Sequence, residues 1–298
     1  TRTFLRERFP LPPSDVDVIG RVQTVRARAE QTVLDISRIY GVGFEGMRLA
    51  NPEIDLWVPG EGTEVTVPSR YILPDAPRDG LVINLPEMRI FYYPQSGEGA
   101  GRVVETYAIS IGRMDWATPV GVTRVVNRIE NPAWFPPESV RQRVFQEEGR
   151  WLPARVEPGP DNPLGAYAVG LDLPGYFIHG TNRPYGVGMR ASSGCIRMYP
   201  EDIADLVYRL PVGTTVRIIN TPYKAGWALG SLFFQAFPVL EEDREQWQER
   251  AYDEAVTVVA AALGRRRVRV DYPRLKEAVD RSDGLLVNLT REASPLLG

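Results

Sequence analysis

The chain has 298 residues, 43% of them apolar and 24% charged, and its 35 basic and 38 acidic side chains leave a formal charge of −3. That balance belongs to a folded globular protein with room for a large core and one or two smaller units, and it gives no electrostatic reason to expect nucleic acid as a partner. The apolar run at 255–264 falls short of the ~20 residues of a membrane-spanning helix, and one cysteine with one histidine leaves neither a disulfide nor a structural metal site to expect.

The first elements lie within residues 19–68. GRVQTVRA, at 20–27, has the character of a strand. QTVLDISRIYG places Val33, Ile36, Ile39 and Tyr40 at helical spacing, and Gly41 is suited to end that helix. A second helix is expected over 44–50 and a returning strand at EVTVP, 64–68, which makes a small β-α-α-β unit. DAPRDG, at 75–80, has the turn residues of a linker.

Residues 79–220 are rich in strand signals. LVINLPEMRIFYYP suggests two strands around Pro86–Glu87, and RVVETYAISIG, PVGVTRVVNRIENP, GAYAVGLD, GYFIHG and TTVRIIN continue the series. Many short strands punctuated by Gly and Pro indicate a mainly β domain rather than a doubly wound α/β sheet. The proline-rich stretch 131–162 carries PPESVRQRVFQEEG, a helix with prolines near its start, and is an insertion suited to border a cleft. Beyond Pro222 the chain turns helical, with helices expected around 240–263 and 273–279, so 223–298 reads as a mostly helical C-terminal extension.

IHGTNRPYGVGMRASSGCIRM, at 178–198, holds the only histidine, His179, and the only cysteine, Cys195, sixteen positions apart. A lone cysteine is by default a small buried hydrophobe, but these surroundings argue for chemistry. His179 ends an apolar run, where a strand fixes position and a loop admits substrate. Gly194 removes bulk before the sulfur and lets the backbone bend, so that N–H groups can meet a developing oxyanion. Imidazole is the natural activator of a thiol that is mostly protonated near neutral pH. No carboxylate adjoins His179, so a main-chain carbonyl is the expected partner of the ring, and the residues alone do not choose it. Arg197 shares a face with Cys195 on an extended segment, where its guanidinium suits either a substrate carboxylate or a structural ion pair.

IHGTNRPYGVGMRASSGCIRMYPEDI resembles the active-site signature of the YkuD-family L,D-transpeptidases, and ISIGRMDWATPVGVTRVVNRIENPAWFPP and EPGPDNPLGAYAV resemble that family's preceding segments. The resemblance covers 79–220 and implies a YkuD-like β-sandwich or barrel. On it, Cys195 falls on the nucleophile, His179 on the general base, Gly180 on the residue whose carbonyl orients that base, and Gly194 on the glycine before the sulfur. Ser192 falls on the family's hydroxyl position and Arg197 on its substrate-contacting arginine. Ser193 stands where many members have a second histidine, which leaves His179 as the one imidazole. TVLDISRIYGV, ANPEI and VPGEGTEVTVP resemble a LysM module, with Glu30-Gln31 replacing the usual Gly-Asp, so that 19–68 is expected to bind peptidoglycan or to serve as a spacer or a domain-packing unit.

The resemblance implies attack on tetrapeptide stems of peptidoglycan, loss of D-alanine and a thioester intermediate. A neighbouring stem amine then gives a 3→3 crosslink, an envelope-lipoprotein lysine gives protein anchoring, and water gives L,D-carboxypeptidase activity. It implies no cofactor and a location in the periplasm or cell envelope. A papain-like hydrolase is disfavoured because the histidine precedes the cysteine here. A non-catalytic wall-binding protein remains the alternative of another class.

Overall fold

A computed structural model describes residues 3–96, 101–113, 117–192 and 194–291. The N-terminal arm carries β1 (Phe9–Pro10) and β2 (Val18–Gly20). Next come β3 (Gln23–Arg26), α1 (Val33–Tyr40), α2 (Phe44–Ala50) and β4 (Glu64–Val67), with β3 and β4 antiparallel, so the expected β-α-α-β unit forms. Helix α1 begins where Thr32 and Asp35 cap each other reciprocally and ends on Gly41 at φ 66°. Its Val33 and Ile36 pack with Met47 of α2 and with Val65 and Val67 of β4 into a small separate core. The Asn51 side chain bonds Thr66 N and O, each at 2.8 Å, and ties the end of α2 to β4.

Strand β5 (Arg70–Ile72) pairs antiparallel with β2 and leads into the barrel. The next elements are β6 (Gly80–Asn84), β7 (Arg89–Tyr93), β8 (Val103–Gly112), β9 (Gly121–Glu130), α3 (Glu138–Glu148), β10 (Tyr167–Leu171), β11 (Phe177–His179), β12 (Arg190–Ser192), β13 (Ile196–Met198), α4 (Pro200–Arg209) and β14 (Thr215–Ile219). Among the described residues the order β8-β13-β11-β10-β9-β14-β6-β7 closes on itself through a β7–β8 pairing, so these strands form a barrel without a free edge. Strands β1 and β12 add to the two ends of the long β8. The β11–β13 and β14–β6 pairs are parallel and the rest of the ring is antiparallel.

The barrel core takes alternate residues of each strand, among them Leu81, Ile83, Ile109, Val169, Ile178, Ile196 and Met198, together with Ile203, Leu206 and Val207 of α4. Helix α4 starts on Pro200, which fits a first helical turn, and its apolar residues recur at helical spacing.

The 75–80 segment packs on the N-terminal arm: Arg78 donates to the carbonyls of Pro12, Pro13 and Val16 and pairs with Asp17 at 2.8 Å. The C-terminal extension contains the expected helices, as α5 (Arg244–Trp247), α6 (Ala251–Leu263) and α7 (Tyr272–Arg281), but it opens on a sheet. Strands β15 (Tyr223–Ala228) and β16 (Ser231–Ala236) form a hairpin, extended by β17 (Val287–Asn288), and α6 and α7 cover it. The hairpin is buried along almost its whole length, so it shows no polar–apolar alternation to mark it as strand. It is joined to the barrel by Lys224, which is buried and paired with buried Glu87 at 2.7 Å.

Candidate active site

Parallel pairing of β11 and β13 brings the two rare residues together. Ile178 lies opposite Ile196 and His179 opposite Arg197. Ile178, Ile196 and Met198 point into the core, so strand alternation turns His179 and Arg197 to the other face. Cys195, two positions before Arg197, immediately precedes β13, the strand paired with the one that ends on His179. Gly194 bends the chain just before it at φ 89°, a backbone that favours glycine. Ser110 of β8 lies opposite Arg197, and Ala168 of β10 opposite His179, which completes the floor.

His179 is only 3% exposed. Its Nδ1 lies 2.6 Å from the Gly180 carbonyl oxygen. A carbonyl only accepts, so Nδ1 carries the proton and the Nε2 lone pair is left to take another. Burial pushes the ring pKa down to about 4, aided by the Arg197 charge and opposed by the Gly180 carbonyl. The imidazole is therefore neutral at pH 7.

Cys195 is half-buried, and its Sγ–H points at the Gly175 carbonyl, 3.6 Å away. Burial raises the thiol pKa, while a main-chain hydrogen bond from Phe177 and the Arg197 charge hold it down. The resting pair is thus thiol and neutral imidazole. Arg197 has its own pKa lowered, first by burial and then by the Arg183 charge, and its buried Nε meets no hydrogen-bond partner among the described residues. An anionic group of a ligand would relieve both conditions.

Sequence reasoning places no role on two residues that build this site. Thr118 is buried; its Oγ1 accepts from Gly112 N at 3.1 Å and donates to Gly194 O at 2.9 Å, tying the end of β8 to the residue before the sulfur. Ser110 donates to Gly186 O at 2.8 Å and anchors the loop between His179 and Cys195. Thr118 opens TPVG within ISIGRMDWATPVGVTRVVNRIENPAWFPP, and that local pattern is the signal that marks it. Ser192 closes β12 in register with Gly112, and Ser193 lies outside the described residues. The 131–162 insertion is rooted beside the His179 loop: Asn131 N donates to Ala166 O at 2.7 Å, and a Cβ on Gly165 would stand 2.7 Å from Thr181 N.

A thiol to be acylated, an imidazole to carry its proton and a guanidinium to receive an anion place the chain among cysteine-dependent acyl-transferring enzymes. A model of the YkuD family, the L,D-transpeptidase catalytic domain, matches residues 78–218. The chain is 36% identical over 289 residues to the probable L,D-transpeptidase ErfK/SrfK of Salmonella typhimurium, covering 95% of this chain and 91% of that one. It is 36% identical over 295 residues to ErfK/SrfK of Escherichia coli, covering 97% and 93%. To the probable L,D-transpeptidase YcfS of E. coli it is 42% identical over 221 residues, covering 72% and 68%. The chain belongs to the YkuD family and is a cysteine-dependent L,D-transpeptidase.

Proposed function

We propose that Cys195 is the nucleophile and His179 the general base of an acyl transfer on peptidoglycan stem peptides. The observation that carries this is the neutral, buried imidazole held through Nδ1 by Gly180 O at 2.6 Å, on the strand that pairs with β13 immediately after Cys195. His179 Nε2 takes the thiol proton as sulfur attacks the carbonyl of the L-centre at stem position three. The C–N bond to D-alanine then breaks, and the proton passes from His179 to the departing amine. A thioester on Cys195 remains. Arg197 receives a stem carboxylate. Gly194 lines the place where the oxyanion forms, and the family resemblance assigns Ser192 and Ser193 to substrate or oxyanion contact.

An amine of a second stem resolves the thioester into a 3→3 crosslink. A lipoprotein lysine anchors a protein by the same step, and water gives L,D-carboxypeptidase trimming. The β-α-α-β unit supports a reading of 19–68 as a LysM-like wall-binding module, beside a catalytic domain at 79–220 and an extension at 223–298. This substrate places the protein in the periplasm or cell envelope.

Incubation with tetrapeptide muropeptides, followed by intact-protein and product mass spectrometry, tests the proposal. The wild-type protein should carry an acyl adduct and release D-alanine. Cys195→Ala should give neither adduct nor product, and turnover by that variant ends the assignment. His179→Ala should slow acylation by ~10²–10⁴-fold.

A further inference from the structure

The segment 180–190 does not lie free on the barrel. On its inner side Ser110 Oγ donates to Gly186 O at 2.8 Å, and Val187 is buried with Ala108 and Tyr199. Ser110 is itself the β8 partner of Arg197. On its outer side the loop meets the β-α-α-β unit. Phe44 N donates to Val187 O at 2.9 Å and Glu45 N to Gly188 O at 3.3 Å. These are the first two N–H groups of α2, whose N-cap Gly43 offers no side-chain cap, so the loop carbonyls take its place.

Two glycines make the approach possible. Gly188 has φ 92°, and a Cβ there would stand 2.3 Å from Phe44 N and 2.8 Å from Gly43 Cα. Gly43 has φ 96°, and a Cβ there would stand 3.2 Å from Ala108 Cβ. The Tyr185 hydroxyl reaches Asp35 Oδ1 at 3.0 Å, and Arg38 forks onto Glu201 just past β13.

We propose that the β-α-α-β unit is a positioning element of the acyl-transfer site, with Phe44 and Gly188 as positioning residues that hold the loop between His179 and Cys195 in its catalytic register. A wall-binding module on a tether has no need of a glycine-to-glycine seam with this loop. Here one path from α2 to Arg197 runs through the 186–188 segment and Ser110. The inference rests on the reading of Cys195 as nucleophile and adds that its acylation rate depends on the docked unit.

The test compares Phe44→Pro with Phe44→Ala. Proline suits the first helical position and removes the N–H given to Val187, whereas alanine removes only the ring. Gly188→Ala opens the seam by an independent route. Two quantities are measured in each full-length protein: the Cys195 acylation rate against tetrapeptide donor concentration, and hydrogen exchange across 181–190. Phe44→Ala should stay within about twofold of wild type in saturating rate. Phe44→Pro and Gly188→Ala should speed exchange at 186–189 and lower the saturating rate by ~10–100-fold, with the half-saturating donor concentration little changed, as misplacement of a catalytic group does. A role in stability alone would leave that rate unmoved in the folded variants. Faster loop exchange with wild-type acylation overturns the inference, as does unchanged exchange in Phe44→Pro. If Gly188→Ala does not fold, Phe44→Pro carries the test. A wild-type protein that takes no acyl group at Cys195 overturns the underlying reading instead.

Discussion

The protonation state of His179 can be read from stability as well as from activity. Its pKa falls from 6.5 to about 4 on folding, chiefly by burial. Between those values the unfolded chain binds a proton that the folded chain does not, so stability rises with pH across the window and is lost as pH falls. A shift of about 2.5 units corresponds to about 3 kcal/mol, of which about 2 kcal/mol is already developed at pH 5. Asp202 acts in the opposite sense, because burial raises its pKa from 3.8 to about 6. Its contribution is common to wild type and His179→Gln, so it cancels in their difference. Urea unfolding of both proteins from pH 7.5 to pH 4.5 should show the wild type losing about 2–3 kcal/mol relative to the variant on acidification. A thiolate–imidazolium pair would reverse the sign, because a folded pKa above 6.5 stabilises the wild type on the acid side and is lost as pH rises. A flat or reversed difference would refute the neutral pair and the base role that depends on it.

Arg197→Gln should lower kcat/KM for a stem donor with a free carboxylate by ~10–100-fold, the effect of losing a charge-assisted hydrogen bond, and should lower it much less for an amidated donor. The same change should raise the His179 pKa, because the guanidinium depresses it, and NMR titration of the single imidazole reads that direction. Thr118→Val leaves Gly112 N and Gly194 O without their hydroxyl and should cost about 1–3 kcal/mol in denaturant unfolding, together with slower acylation. Lys224→Met strands buried Glu87 and should cost about 3–5 kcal/mol, whereas Lys224→Met with Glu87→Leu should recover much of that loss.

Much of this architecture is legible in the amino-acid order because local signals agree with the fold. Thr32, Asp35 and Gly41 mark both ends of α1, and the barrel strands from β6 to β11 sit where β-rich runs meet Gly and Pro. Helix α4 also carries its signals, with Pro200 at the start and Ile203, Leu206 and Val207 on one stripe, although a reading led by strand counting leaves it unassigned. The β15–β16 hairpin is harder. It is buried on both faces and turns through Leu229 at φ 49° and Gly230 at φ 76°, without the Asn-Gly or Asp-Gly pair that announces such a turn. At the site, His179 and Cys195 stand out by rarity and surroundings. The partners that fix them do not, because Thr118 reaches Gly194 across 76 positions and Ser110 reaches Gly186 across the same span. Such contacts exist only once β8, β11 and β13 have paired.

The parallel pairing of β11 and β13 also turns the interval between His179 and Cys195 into a ruler. A chain that leaves His179 at the end of one strand must travel back before it can enter the neighbouring strand in the same direction. Sixteen positions are the length of that return journey, which makes one short turn at Pro184–Gly186 and one edge pairing at β12 on the way. Deletions would leave the journey too short to complete. Insertions at 187–188 would have to swell where barrel and α2 press from both sides. Related chains should therefore vary freely in the 131–162 insertion while holding the count between these two residues nearly constant. A backbone cut inside the loop would part the chemistry into two fragments, one carrying the proton acceptor and the other the sulfur, which only strand pairing could reunite.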